Sequence, residues 1–147
     1  LTLILIGFFY SYSRHILALP AVLVAFASAL PTLLPLAQGT NDISFLLFLL
    51  VFFFVLGREI LKDMDDPHDK GYKRTLPVAL GFEGAKKIVA ALFVVVLTVL
   101  FFLPPWVLFG VPAVGYTVWI LLDNRDHWFA KRLMDYNTLL VLALLFL

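Results

Sequence analysis

The chain has 147 residues, 63% of them hydrophobic and 16% aromatic, with 14% charged and a formal net charge of +1. Together with a mean hydropathy of +1.00, this excludes an ordinary water-soluble domain and indicates an integral membrane protein. The near-neutral balance gives no sign of a nucleic-acid partner, and the absence of cysteine excludes a disulfide framework and a thiol nucleophile.

Taken in chain order, residues 1–12 form an apolar run too short to cross a ~30 Å hydrocarbon layer. Longer apolar runs then recur, and in lipid a helix satisfies every backbone polar group within one segment. We read residues 16–37, 43–61, 85–103, 106–122 and 128–147 as spans. The expected fold is therefore all-α: a polytopic transmembrane bundle of about five full spans plus a partial first one, forming a single membrane domain over residues 1–147. The chain opens on Leu1 rather than Met and ends at Leu147 within an apolar run, so we read it as a fragment of a longer protein. No basic region precedes the first run and no small-residue cleavage site follows it, which argues against a signal peptide.

Proline punctuates these runs. Pro20, Pro31, Pro35 and Pro112 each lack the N–H that a helix interior needs, which predicts kinked or shortened helices. Basic residues sort completely by connection. Arg14 lies in the first; Arg58, Lys62, Lys70, Lys73, Arg74, Lys86 and Lys87 flank the third; Arg125, Lys131 and Arg132 occupy the fifth; the connections between carry none. By the positive-inside rule the first, third and fifth connections are cytoplasmic.

The third connection, residues 57–84, is the most informative part of the chain. It begins GREILKDMDDPHDKGYKRTLPVALG and holds six of the ten acidic residues: Glu59, Asp63, Asp65, Asp66, Asp69 and Glu83. Spacings of four and three place Glu59, Asp63 and Asp66 on one face of a helix leaving the membrane, with Arg58, Lys62 and Asp65 on the neighbouring face. Pro67 disfavours helical geometry at Asp66, so the helix is expected to end there and Asp69 to lie in a loop folded back over it. Like charges this close repel unless a cation joins them. Hard carboxylate oxygens suit Mg²⁺, which takes one or two carboxylates together with oxygens of a substrate phosphate. Lys70, Lys73 and Arg74 add positive charge for such a phosphate. A plain solvated loop that anchors helix ends accounts for the charge content equally well, and the order of the residues separates the two readings.

Asp65, Asp66 and Asp69, then Lys73-Arg74, then Thr75-Leu76-Pro77 and Gly81 before the next apolar run resemble the second aspartate-rich motif of the UbiA superfamily of intramembrane prenyltransferases. The segment Tyr10-Ser11-Tyr12-Ser13-Arg14 is similar to that family's fourth connection, and the five spans then correspond to the second half of a nine-helix bundle. The resemblance implies Mg²⁺-dependent transfer of a prenyl group from a prenyl diphosphate to an aromatic or lipid acceptor, in quinone, haem or ether-lipid biosynthesis. It implies Asp65, Asp66 and Asp69 as the catalytic, metal-holding carboxylates, with Asp65 and Asp69 best fitting the paired positions. Lys62, Lys70, Lys73, Arg74 and Arg14 would bind the diphosphate, and Glu59, Asp63 and Tyr10 would support them. Phe52, Phe53 and Phe54 offer ring faces that stabilise an allylic cation, although packing accounts for them as well.

The family's first aspartate-rich motif has no counterpart here. Asn41-Asp42 begins like it, but Phe45 stands where the next Asp would be, so we read a turn. The implied partners are therefore a prenyl diphosphate, a small acceptor, membrane lipid and the N-terminal half of the same protein, without which this fragment is expected to be inactive. A CDP-alcohol phosphatidyltransferase is excluded by the lack of its aspartate-glycine pattern. A non-catalytic membrane protein with a cation-binding acidic loop, or a transporter fragment, is the alternative; paired charges in mid-span would favour transport, and the spans are almost free of them. His15, His68 and His127 read as ordinary solvated residues. Asp135, Tyr136 and Asn137, just inside the last span, are polar at a depth where such groups face the bundle interior or water. An Asp135→Ala variant of the full-length enzyme is expected to lose activity, measured as prenyl transfer in detergent.

Overall fold

The computed structural model describes residues 16–37, 43–65, 75–103 and 105–123, together with Arg132 and Tyr136. Within them every regular element is helical: α1 (Leu19–Ala29), a 3₁₀ segment (Leu30–Leu33), α2 (Leu34–Ala37), α3 (Ile43–Asp65), α4 (Leu76–Leu100), a second 3₁₀ segment (Pro105–Gly110) and α5 (Val111–Leu122). Arg132 and Tyr136 are helical and exposed. The expected turn at Asn41-Asp42 and the remainder of the run 128–147, with Asp135 and Asn137, lie outside the described residues.

Proline sets where these helices start. It occupies the first turn of α1 (Pro20), of the first 3₁₀ segment (Pro31), of α4 (Pro77) and of α5 (Pro112), where a missing N–H costs no helix hydrogen bond. Pro31 and Pro35 divide the first long apolar run into an 11-residue helix, a 3₁₀ turn and a four-residue helix. At the break the Thr32 hydroxyl donates to the Ala29 carbonyl at 2.7 Å. Thr98 and Thr117 likewise donate to the carbonyls of Val94 and Ala113, both at 2.9 Å. These hydroxyls are satisfied within their own helices, as an apolar environment requires.

Five full spans are not supported by these lengths, the fifth run lying almost wholly outside the described residues. Among the described residues one helix is long and apolar enough to cross a membrane, over Ile43–Met64. The first run is divided by its prolines. The helix of the third, α4, carries Glu83, Lys86 and Lys87 in its first half, leaving residues 88–100 uninterrupted, short of the ~20 apolar residues a crossing needs. The fourth spends its start in the 3₁₀ segment and keeps a 12-residue helix.

Helices α3 and α4 form the centre, with α1 packed on α3 and α5 on α4. The core runs through Leu50, Phe54, Leu61 and Met64 of α3, Ala85, Val89, Phe93 and Val96 of α4, and Val114, Val118 and Leu121 of α5. Val94, Val95, Phe101 and Phe102 are exposed on the outside. Helices apolar on both faces are those that meet lipid or a further protein layer. Phe26 of α1 meets Phe48 edge-on at 5.8 Å, and Phe48 stacks on Phe52 at 6.0 Å. Phe52 in turn meets Phe53 at 5.3 Å, so these rings have packing partners among themselves.

Gly57 sets the approach of the two central helices. A Cβ there would lie 2.8 Å from Phe93 Cζ, and Phe93 is fully buried against Phe54, at 6.0 Å between ring centroids. Gly57→Ala is expected to destabilise the protein by about 1–3 kcal/mol through overpacking, read as a lower thermal midpoint in detergent. A second substitution, Phe93→Leu, is expected to recover part of that loss, because the two sites touch and are energetically coupled.

Candidate functional site

The acidic segment grows out of the membrane-length helix without a break. Helix α3 continues through Gly57 and carries Arg58, Glu59, Lys62, Asp63 and Asp65 on its last turns. Glu59 is held from two sides: Oε1 accepts from Arg58 Nη1 at 3.2 Å and Oε2 from Lys62 Nζ at 3.5 Å. Its side chain is only 14% exposed, so the two cations neutralise a carboxylate that would otherwise be costly to cover. Lys62 is largely exposed, and its pair with Glu59 adds little stability by itself. Both Glu59 oxygens are thus committed within the helix. Asp63 is half-buried on the same helix, and Asp65 is its last residue.

Of the other residues singled out in the sequence, Asp66, Asp69, Lys70, Lys73, Arg74, Tyr10 and Arg14 lie outside the described residues. The chain is described again from Thr75, which is extended (φ −85°, ψ 159°), and Pro77 falls in the first turn of α4. The Ala79 amide donates to the Thr75 carbonyl at 3.1 Å, closing that turn. Four residues after Pro77 the helix is interrupted. Gly81 has φ 73° and ψ 168°, a conformation essentially restricted to glycine because a Cβ would clash with the backbone. The sequence Thr75-Leu76-Pro77 followed by Gly81 is therefore a short helical entry, a sharp bend, and then the long packed part of α4.

Gly57 of α3 meets Phe93 of α4, so the two central helices approach closely at that level. Lys86 lies two turns before Phe93 on the packed part of α4. It is buried. Its Nζ donates to Glu83 Oε1 at 3.3 Å and sits 5.4 Å from the centre of the Phe82 ring. Sequence reading counted Lys86 only among the basic residues flanking the connection. The signal was present: Lys86 precedes Val89, Ala90 and Phe93 by three, four and seven residues, placing it on the core stripe of α4.

Among the described residues no three His, Asp or Glu side chains converge on a metal position. Glu59 is paired with Arg58 and Lys62. Asp65, Asp66 and Asp69 have the chemistry that Mg²⁺ favours, since it binds through few carboxylates and keeps waters or phosphate oxygens for its other positions.

A membrane-length helix thus runs directly into an aspartate-rich sequence flanked by lysine and arginine. The chain belongs to the UbiA prenyltransferase family, whose model matches residues 1–145. Members are integral membrane proteins, generally Mg²⁺-dependent, that join a prenyl diphosphate to an acceptor. No curated protein and no solved structure matches the chain.

Proposed function

We propose that the chain is the C-terminal half of a Mg²⁺-dependent prenyltransferase and that residues 57–84 form its cytoplasmic diphosphate-binding segment. The family match over residues 1–145 carries this reading, and the continuous extension of α3 into Asp63 and Asp65 supports it. Residues 1–147 act in this reading as one membrane domain, whose opposing aspartate-rich motif lies on the other half of the protein.

Asp65, Asp66 and Asp69 would hold Mg²⁺, which neutralises charge developing on the departing diphosphate. Lys62, Lys70, Lys73, Arg74 and Arg14 would donate to the phosphate oxygens, orienting the allylic C1–O bond at the membrane boundary. Glu59 and Asp63 would keep the cations of α3 in place, and Tyr10 would contribute from the preceding connection. As the C1–O bond breaks, its electron pair leaves with the diphosphate; the acceptor nucleophile forms the new bond to C1 and loses its proton. An apolar surround excludes the water that would otherwise capture the allylic cation.

The test is full-length protein in detergent with labelled geranylgeranyl diphosphate, Mg²⁺ and a panel of aromatic and lipid acceptors. A prenylated product with one acceptor class is the expected result. Absence of product and of pyrophosphate release across the whole panel would reject the reading.

A further inference from the structure

Helix α4 carries two adjacent lysines that the helical turn sends to different environments. Lys86 is buried on the stripe of Val89, Ala90 and Phe93, whereas Lys87, about 100° round the helix, is exposed. Lys87 heads the outer face of α4, where Ala91, Val94 and Val95 follow at four, seven and eight residues and are exposed as well. Glu83, one turn before Lys87, bonds instead to Lys86 at 3.3 Å. Among the described residues no carboxylate pairs with Lys87. The chain leading to this face is apolar too. Val78 is 56%, Leu80 52% and Phe82 37% exposed, on either side of the bend at Gly81.

In water these side chains would leave an apolar patch uncovered, whereas at a membrane surface they enter the interfacial layer. Two features select lipid over a protein surface. The patch is continuous with the exposed apolar stripe of a helix in a family of integral membrane proteins, and the charge at the boundary between them complements an anionic head group. A lysine so placed lays its aliphatic stem along the apolar face and lifts its ammonium to the phosphate level. The positive-inside rule assigns this connection to the cytoplasmic side, where the anionic lipids concentrate.

We infer that residues 78–82 and the outer face of α4 form a docking surface for an anionic phospholipid. Its phosphate meets Lys87, its acyl chains run along Ala91, Val94 and Val95, and Val78, Leu80 and Phe82 sit among the neighbouring head groups. The inference requires the membrane setting of the family and not its chemistry.

The experiment uses full-length protein, delipidated in a neutral detergent, and its Lys87→Gln and Lys87→Arg variants. Binding of phosphatidylglycerol and of phosphatidylcholine is measured by native mass spectrometry. Phosphatidylglycerol is expected to bind more tightly, and Lys87→Gln to weaken it about fivefold, the weight of one basic residue at an anionic surface. Phosphatidylcholine binding should not change, and Lys87→Arg should keep the parent preference because the charge is retained. Equal binding of the two lipids, or an undiminished preference in Lys87→Gln, would overturn the inference. Displacement of phosphatidylglycerol by inorganic pyrophosphate would also overturn it and give Lys87 to a substrate phosphate. The apolar part is tested with a nitroxide on Leu80→Cys, or on Val78→Cys should that variant fail to accumulate, in phosphatidylglycerol-containing nanodiscs. Dissolved oxygen is expected to relax the label more than a water-soluble nickel chelate does. A label reached chiefly by nickel would place the segment in water, and one reached by neither would place it beneath another protein surface; either result overturns the docking surface. None of these measurements requires turnover, so a failure of prenyl transfer would count against the proposed function alone.

Discussion

Replacing Asp65 and Asp69 together by alanine is expected to lower prenyl transfer by about a thousandfold, corresponding to roughly 4 kcal/mol of lost transition-state stabilisation. Two carboxylates that would neutralise a metal ion on the leaving diphosphate are then gone, and the charge that develops as the C1–O bond breaks is left without its counterion. Asp65 ends α3 beyond the tightly packed Ile60, Leu61 and Met64, so the fold should tolerate the change. Thermal midpoint and helical content should match the parent while turnover falls. Turnover within a few-fold of the parent would remove Asp65 and Asp69 from the site. The corresponding test on Glu59 should give a different pattern. Its two oxygens are paired with Arg58 and Lys62, and Glu59→Gln is expected to perturb the orientation of those cations more than the metal.

Gly81→Ala is expected to be the most damaging of the glycine substitutions, though nothing lies within 4 Å of the position a Cβ would occupy. The reason is the backbone. At φ 73° and ψ 168° an L-residue is strained by on the order of 1–3 kcal/mol. Relief comes by straightening the bend, which would displace Thr75, Leu76 and Pro77 relative to the packed part of α4. We expect a lower thermal midpoint and about a tenfold loss of activity, the latter because small displacements of positioning groups are costly. Gly115→Ala makes the comparison clean. Gly115 lies within α5 with open space around it, so alanine there should be neutral or slightly stabilising through its better helix propensity, by ~0.5–1 kcal/mol. Equal behaviour of the two variants would show that the bend at Gly81 has no functional consequence.

The helical class and the acidic helix end were readable from local information. Apolar length, proline position and the spacing of Glu59, Asp63 and Asp66 depend on neighbours within a few residues, and the helix expected to end at Asp66 is observed through Asp65. The number of full spans was not readable in the same way. Apolar runs of sufficient length were read as continuous spans, whereas Pro31 and Pro35 divide the first, a 3₁₀ segment takes the start of the fourth, and Glu83, Lys86 and Lys87 shorten the apolar stretch of α4 but not the helix itself.

By itself the sequence determined the membrane character, the all-helical class, the family and the run of residues from Gly57 to Gly81 on which a diphosphate site would be built. Those properties follow from composition, proline chemistry and residue order, each expressed without reference to distant parts of the chain. The tertiary structure decided the rest. It showed that Phe93 fills the space beside Gly57, that Gly81 carries a backbone bend, and that Lys86 is buried on the core stripe of α4. Each depends on how two helices meet. Register between packed helices is set by side chains far apart in sequence, and it becomes visible only when both helices are in place.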